Sequence, residues 1–349
     1  MATLCSVNES ERQKLRSSVH RYIRSCQRDD GGILWFKEGK LDPWDHTEAA
    51  MGLSIAGDYD AAKKAFLWLQ QNQNKDGSWF TKYYGDEHDE DKDRYKIETN
   101  FVAYPACGLW HYFLITEDKA FCEKLFPTIE KAINFVLSHQ GKEGEILWAI
   151  SSVETLPKDA LITASASILR SIECAILLAD ALEISHDWQD AYMQLADALK
   201  NKPWRFDRTW EPKTRFSMDW FYPILAGIYT EQEARARLLA RKYEFLQPSY
   251  GCRCVSDQPW VTIAESCELT LAMLASHQHQ EAEELFRKLL RWQDRDGGFW
   301  TGFQFQEQVI WPQEKTSWTA AAVLLAADAL YSYTKASQVF TQPSHLYFS

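Results

Sequence analysis

Two kinds of helical pattern alternate along most of this chain. In the first kind, apolar residues recur every three or four positions beside polar ones, which is typical of a helix with one buried face. Segments of this kind are 11–26, 61–72, 188–200 and 282–292. In the second kind, small and apolar residues occupy every face, and such a helix must be buried on all sides. These segments are 47–56, 98–113, 163–181, 219–229, 264–275 and 316–331. The alternation predicts amphipathic outer helices packed around apolar inner helices.

A similar turn follows several of the amphipathic segments. It reads Gln-Asn-Lys-Asp-Gly-Ser-Trp at 73–79 and Gln-Asp-Arg-Asp-Gly-Gly-Phe-Trp at 293–300, with a further copy at 27–32 and weaker ones at 140–144 and 247–251. Positions 27 and 73 are 46 residues apart, as are 247 and 293. Such a period indicates helical units that bury their faces only against their neighbours. Six outer-inner pairs that close on themselves form an all-α (α/α)6 barrel. We predict it for residues 11–336, between a polar tail at 1–10 and a C-terminal tail at 337–349.

The composition adds an unusual aromatic content of 15 Trp, 15 Tyr and 18 Phe. A buried indole N–H needs a hydrogen-bond partner, so this many rings suggests aromatic walls around a ligand. The net charge of −11 argues against nucleic acid or an anionic membrane surface as a partner, because both require basic patches.

The eight cysteines are scattered through apolar helical patterns, as expected for free thiols in a reducing compartment. The N-terminus shows no signal peptide, and no apolar run reaches the roughly 18 residues of a membrane span. We therefore expect a cytoplasmic protein without an integral membrane segment. Gly-rich phosphate loops and Asp-rich magnesium motifs are absent, so we expect no cofactor and no metal.

Acidic residues stand at the starts of several inner helices. If these helices are parallel, their N-termini meet at one end, and Asp45, Glu98, Asp219 and Glu265 would surround the mouth of the barrel. Asp219 has the driest sequence, beside the aromatic run at 220–222. Burial among such residues raises the pKa of a carboxyl group and makes it a proton donor. We predict Asp219 as a general acid, although a structural aspartate fits the same pattern.

The Gln, Gly and Trp positions of the turns resemble the QW motifs of class II terpene cyclases, and one barrel resembles their single-domain bacterial members. The resemblance implies a metal-free reaction in which an acid protonates a terminal alkene and aromatic rings guide the carbocation. It implies a hydrophobic, prenylated aromatic acid as substrate, taken up through transient membrane contact. The chain lacks the Asp-x-Asp-Asp motif of that family. Helix order places Glu98 at the motif's position, so Glu98 and Asp45 are alternatives to Asp219 as the acid.

The cyclase hypothesis also predicts a set of residues that line the cavity and bind substrate. They are Trp44, His46, Tyr104, Trp220, Tyr222, Trp260, Glu265, Trp311 and Trp318. Arg170 is one of the cations that could bind a substrate carboxylate.

Three other functions fit parts of the pattern. An inverting (α/α)6 glycosidase would use two of the carboxyl groups and the Trp platforms. A zinc prenyltransferase-like enzyme would need a ligand set drawn from Cys252, Cys254, Asp257, His277 and His279, whose spacing is not that of a common zinc site. A ligand-binding barrel without catalysis is the third.

Overall fold

The computed structural model describes residues 8–84, 95–151, 153 and 155–348. Its α-helices within these ranges are α1 (Glu9–Ser25), α2 (Pro43–Ala56), α3 (Tyr59–Asn72), α4 (Thr99–Ala103), α5 (Pro105–Thr116), α6 (Lys119–Leu137), α7 (Ile162–Leu182), α8 (Gln189–Asn201), α9 (Ser217–Leu225), α10 (Glu231–Phe245), α11 (Ile263–Ala275), α12 (His279–Leu289), α13 (Ser317–Tyr331) and α14 (His345–Phe348). Short 3-10 helices cover Pro203–Arg205, Lys213–Arg215 and Leu290–Trp292.

The inner helices form a closed ring. Helix α2 packs against α5, α5 against α7, α7 against α9, α9 against α11, and α11 against α13, which returns to α2. Helices α4 and α5 together make one inner unit, interrupted where Pro105 follows Tyr104, because proline cannot continue the helical hydrogen bonding. Helices α1, α3, α6, α8, α10 and α12 lie outside the ring. The predicted all-α (α/α)6 barrel is therefore confirmed.

Short antiparallel strands precede the inner helices and mark the mouth of the barrel. They are β1 (Lys96–Glu98), β2 (Ala149–Ser151), β3 (Leu246–Gln247), β4 (Gly251–Arg253), β5 (Trp260–Thr262), β6 (Gly302–Gln304) and β7 (Val309–Ile310). Strand β1 pairs with β2, with Ile97 opposite Ile150, and the others form a sheet in the order β3-β4-β5-β6-β7. Because β1 runs into α4 and β5 into α11, both sheets stand where inner helices begin.

The repeated turns brace neighbouring outer helices. Gln73 Nε2 donates to the carbonyl of Gly77 (2.9 Å) and to that of Thr128 on α6 (2.8 Å). Gly77 has φ +96°, and a Cβ at this position would lie 2.4 Å from the Lys131 carbonyl oxygen. Only glycine fits such a backbone and such a close approach. The turns at 27–32, 140–144 and 293–297 repeat this arrangement, and the last one reaches back to α1.

The ends of the predicted barrel domain differ in how much the structure describes. Residues 1–7 of the predicted polar tail lie outside the described residues, and α1 begins at Glu9, where Asn8 caps it. At the other end, Phe340 and Ser344 are buried against the barrel.

One described helix, α7, is long and apolar enough by composition to cross a membrane. Its apolar 18-residue window is 83% buried inside the barrel, as expected for a core helix.

Candidate active site

The first turn of α2 places a pair of aspartates at the barrel mouth. Asp42 is buried and caps the helix: its Oδ1 accepts the backbone N–H of Asp45 at 2.9 Å. Its Oδ2 accepts the indole N–H of Trp35 at 2.7 Å. Asp45, the third residue of the helix, remains partly exposed. The cap therefore fixes Asp45 at the start of the inner ring.

Burial raises the pKa of both aspartates, and more so for Asp45. Loss of hydration raises the pKa of Asp45 well above its ordinary value, and the negative charges of Asp42 and Glu48 raise it further. Asp42 instead accepts hydrogen bonds from Asp45 N and Trp35, which favour its ionised form. A neutral Asp45 can therefore donate a proton at the mouth of the barrel.

Helix α11 repeats this carboxyl spacing. Glu265 is its third residue and is partly exposed, as Asp45 is on α2. Three residues further along each helix, Glu48 and Glu268 are buried. Residues three apart lie on the same helix face, so the two helices carry an upper pair, Asp45 and Glu265, and a lower pair, Glu48 and Glu268.

The surroundings of the lower pair disfavour its ionised form. Burial raises the pKa of Glu48 to about 8, and the charges of Asp42 and Glu265 contribute. Burial also raises the pKa of Glu268 well above its ordinary value, followed by the charges of Glu48 and Glu265. The Glu268 Oε2 atom has no hydrogen-bond partner among the described residues, although it is buried. A buried polar atom without a partner is costly, so this oxygen is available to a ligand that donates a hydrogen bond.

Aromatic rings surround these carboxyl groups. Trp44 stacks on Tyr104 with 4.7 Å between ring centroids and lies 5.9 Å from Tyr222. The Trp44 indole N–H donates to Glu48 Oε2 at 3.3 Å. Of the predicted lining residues, Trp44, Tyr104, Tyr222 and Glu265 are therefore brought together with Asp45.

His46 does not join them. It is fully buried beneath the turn that follows α1, where its Nδ1 accepts from Ile33 N at 3.0 Å and its Nε2 donates to the Ala65 carbonyl at 2.9 Å. Burial lowers its pKa to about 4, so the ring is neutral. Its contacts tie the turn to α3 and do not reach a substrate.

Glu98 lies at the rim of the mouth on β1. It forms an ion pair with Lys96 at 2.9 Å. Burial raises its pKa, while Lys96 lowers it. The charge of Asp42 also raises the pKa of Glu98, so Glu98 lies near the pair formed by Asp42 and Asp45.

Asp219 is buried, and burial raises its pKa to about 6, followed by the charge of Asp207. The positive charges that oppose this shift belong to Arg237 and Arg241 on the outer helix α10. Trp220 beside it also faces outward, since its indole donates to the Arg237 carbonyl at 2.8 Å. The structure does not bring Asp219 and Trp220 together with the carboxyl pairs.

Three other predicted tryptophans stand near the mouth. Trp260 on β5 contacts Trp311 with 4.8 Å between centroids, and its indole donates to the Trp311 carbonyl at 2.7 Å. Trp311 is 53% exposed and offers a ring to solvent. Trp318, in the first turn of α13, is partly buried, and its indole nitrogen has no hydrogen-bond partner among the described residues.

The predicted zinc ligands and Arg170 have other roles. Within the described ranges, no group of three or more His, Cys, Asp or Glu side chains is placed to hold a metal ion. Cys252 and Cys254 precede α11, whereas His277 and His279 follow its other end, so the length of a helix separates them. Arg170 is buried and paired with Glu173 at 2.6 Å, away from any substrate carboxylate.

Sequence reasoning missed Asp42, Glu48 and Glu268 as site residues. A signal was present: Asp45 and Glu48 have the same three-residue spacing as Glu265 and Glu268, each at the start of an apolar inner helix. Carboxyl groups that recur on the same face of two buried helices need hydrogen-bond partners, which are either a polar ligand or one another.

Comparisons with known proteins identify relatives of this chain. It is 42% identical over 320 residues to an MMP endo-(1,4)-3-O-methyl-alpha-D-mannosidase from Mycolicibacterium hassiacum, covering 91% of this chain and 86% of that protein. No protein-family model matches the chain.

Solved structures share the fold at low sequence identity. A D-mannose isomerase has a TM-score of 0.71 at 14% identity and covers 95% of this chain and 99% of its own. A wild-type glycosidase has a TM-score of 0.67 at 14% identity, covering 93% and 98%. An alpha-amylase from Clostridium perfringens has a TM-score of 0.63 at 13% identity, covering 90% and 97%. Together with the mannosidase, these show that the terpene cyclase prediction is wrong, and with it the polyprenyl-aromatic substrate.

Proposed function

Because the chain belongs to the family of the endo-(1,4)-3-O-methyl-alpha-D-mannosidase, we propose that it is a glycoside hydrolase that cleaves internal (1,4) bonds of a 3-O-methylated α-D-mannoside. The observation that carries this proposal is the 42% identity across 91% of the chain. Two partly exposed carboxyl groups at the barrel mouth supply the chemistry that such a reaction requires.

Asp45 is the proposed general acid. Glycoside hydrolysis requires one protonated carboxyl group beside the glycosidic oxygen and one ionised carboxylate that acts on the sugar ring or on water. The pKa of Asp45 is raised by lost hydration and by Asp42 and Glu48, so it holds a proton where a substrate enters. In the reaction Asp45 protonates the leaving oxygen as the glycosidic bond breaks.

Glu265 is the proposed base. It is the other partly exposed member of the two carboxyl pairs, at the same height on α11. It would take a proton from the attacking water, whose oxygen forms the new bond to the anomeric carbon. Helix α13 lies between α2 and α11 in the inner ring. The charge of Glu265 acts on Glu48, one turn along α2 from Asp45, so the proposed acid and base face the same part of the barrel; a water between them, as in an inverting enzyme, is part of the proposal.

The lower pair and the aromatic rings are the proposed sugar-binding surface. Glu48 and Glu268 offer buried oxygens to sugar hydroxyls, including the unpartnered Glu268 Oε2. Trp44 and Tyr104 offer apolar faces to the sugar ring and to its methyl groups. A methylated mannose unit combines both kinds of surface, since it carries hydroxyls beside an apolar ether methyl.

The experiment is hydrolysis of α-(1,4)-linked 3-O-methylmannose oligomers by the wild type, Asp45→Asn and Glu265→Gln. Removing either proton-transfer group should lower kcat by about 100-fold to 10,000-fold. Asp118→Asn, a matched change at the cap of the outer helix α6, should keep wild-type activity. Retention of more than a tenth of kcat in Glu265→Gln would assign the base elsewhere. The anomer first released, followed by proton NMR, tests inversion.

A further inference from the structure

Helix α9 is too short to fill its place in the inner ring. It has 9 residues, whereas its neighbours α7 and α11 have 21 and 13. Proline at position 223 lies within it, and the chain turns at Gly227, which has φ +79°. The end of the barrel opposite the mouth is therefore left open beside α9.

Residues 334–344, the C-terminal strap, fill this opening. Ser344 N donates to the Gly227 carbonyl at 2.9 Å, and the Ser344 hydroxyl shares a hydrogen bond with the Tyr192 hydroxyl at 2.6 Å. The start of the strap is also tied down, because Asp328 accepts from Thr334 N (2.8 Å) and from its hydroxyl (2.6 Å). Both ends of the strap are thus attached to the barrel.

Arg170 joins the strap to the end of α9. Its Nε donates to the Leu225 carbonyl at 2.8 Å, and its Nη2 donates to the Gln342 carbonyl at 2.9 Å. Its charge is balanced by Glu173 at 2.6 Å. A Cβ on Gly227 would lie 2.3 Å from Arg170 Nη2, so this position requires glycine. Burying a guanidinium costs free energy, because the charge loses its hydration. Here its three partners offset that cost and attach the strap to the end of α9.

Between these attachments, Phe340 points into the barrel. It is 7% exposed, and its ring lies 6.4 Å from the Tyr104 ring at an interplanar angle of 18°. Tyr104 stacks in turn on Trp44, at 4.7 Å and 20°. Trp44 donates to Glu48 and directly precedes Asp45. A stack of three rings therefore leads from the strap to the carboxyl groups at the site.

We propose that the C-terminal strap closes the barrel beneath the site and that Phe340 is a positioning residue, which holds Tyr104 and Trp44 against the lower carboxyl pair. The role in catalysis rests on the proposed function. In this role Phe340 does not contact the substrate. It packs behind the Tyr104 ring and so prevents that ring from moving away from the site. Without Phe340, the Tyr104 and Trp44 rings can tilt away from Glu48. The position of Asp45, which directly follows Trp44, is then less well fixed.

The kinetic test compares Phe340→Ala, Phe340→Leu and the control Phe348→Ala, whose ring is 46% exposed in α14, just after the strap. Phe340→Ala should lower kcat about tenfold with KM within twofold, and Phe340→Leu, which refills most of the space, should recover at least half of the loss. In a Tyr104→Ala background, Phe340→Ala should have no further effect on kcat, because the two residues act in series. Independent, multiplying losses in the double variant would overturn the proposal.

A measurement without substrate separates this proposal from the proposed function. Protein labelled with 5-fluorotryptophan gives a fluorine NMR signal for Trp44, assigned by its loss in Trp44→Phe. That signal should shift in Phe340→Ala and not in Phe348→Ala. Ser344→Ala removes one attachment of the strap and keeps all three rings, so it should move the Trp44 signal in the same direction by a smaller amount. An unmoved Trp44 signal in folded Phe340→Ala would refute the strap's role, whether or not the wild type hydrolyses mannosides.

Discussion

The charge of Asp42 sets the pH range in which Asp45 can act as an acid. Asp42→Asn removes that charge and keeps the helix cap, because asparagine is as good an N-cap as aspartate. Its Oδ1 can still accept the Asp45 N–H, while the bond from the Trp35 indole is lost, at a cost of about 1 kcal/mol of stability. With the neighbouring charge gone, ionised Asp45 is less penalised and its pKa falls.

The size of this fall follows from Coulomb's law. Two unit charges about 4 Å apart interact by about 4 kcal/mol at an effective dielectric constant of about 20, and each pH unit corresponds to about 1.4 kcal/mol. Partial protonation of the cluster and the remaining charge of Glu48 reduce the effect, so we expect about one to two pH units. Asp45 must be protonated to act, so its activity is lost as pH rises through its pKa. The alkaline limb should therefore move to lower pH by this amount.

The assay is the pH dependence of kcat/KM, whose limbs report the acid and the base of the free enzyme. Asp118→Asn, the same change at the cap of α6, should leave both limbs in place. An alkaline limb that stays within about 0.3 pH units of the wild type, or moves to higher pH, would show that Asp45 is not the acid.

Three further outcomes follow from the structure. Gln140→Ala should lower the free energy of unfolding by about 1–3 kcal/mol in urea denaturation, because two hydrogen bonds of the brace are lost. Gln280→Ala, an exposed glutamine on the outer helix α12, should cost less than about 1 kcal/mol. Trp311→Ala should raise KM about threefold to tenfold at unchanged kcat, since it removes a 53% exposed ring that packs on Trp260 at the barrel mouth and transfers no proton. Asp219→Asn should keep kcat within about twofold, because the charges that act on it belong to Asp207 and to Arg237 and Arg241 on α10; a 100-fold loss would return Asp219 to the site.

The fold could be predicted from the sequence because its cause is local and repeated. A helix that is apolar on every face has only the interior to occupy, and the turn at 73–79 marks where an outer helix ends. The copy at 140–144 has Glu143 where the turn at 73–79 has Asp76, and Ile146 where it has Trp79, yet its Gln and Gly make the same contacts as those at 73–79. The copy at 247–251 lies in strands β3 and β4 instead. A brace needs the amide and the glycine; the aromatic ring is dispensable.

The site was predicted only in part. Apolar neighbours in the sequence indicate that a carboxyl group is buried, but not towards which part of the barrel it points. Asp219 is buried with a raised pKa, as its aromatic neighbours indicated, but the charges that act on it belong to Asp207 and to the outer helix α10. Asp45 looked solvated because Asp42 and Glu48 are near in sequence. In the folded chain those same residues raise its pKa. Phe340 gave no signal at all, since the strap has no periodic pattern and meets Tyr104 only through the tertiary fold.

The turn that suggested a cyclase carries no information about chemistry. Gly77 and its equivalents are required because a Cβ would collide with the next outer helix, and that constraint holds for any barrel braced in this way, whatever its interior binds. The side chains inside the barrel, in contrast, distinguish a cyclase from a glycosidase. A carbocation cavity needs one acid among rings, where water and bases are excluded. Here Asp42, Asp45 and Glu48 at the start of α2 and Glu265 and Glu268 at the start of α11 bring five carboxyl groups to one end of the barrel; burial favours the protonated form of several of them, and Glu268 Oε2 has no partner among the described residues. Such an interior suits a substrate with many hydroxyl groups, because each hydroxyl can donate to one carboxyl oxygen and accept from the next.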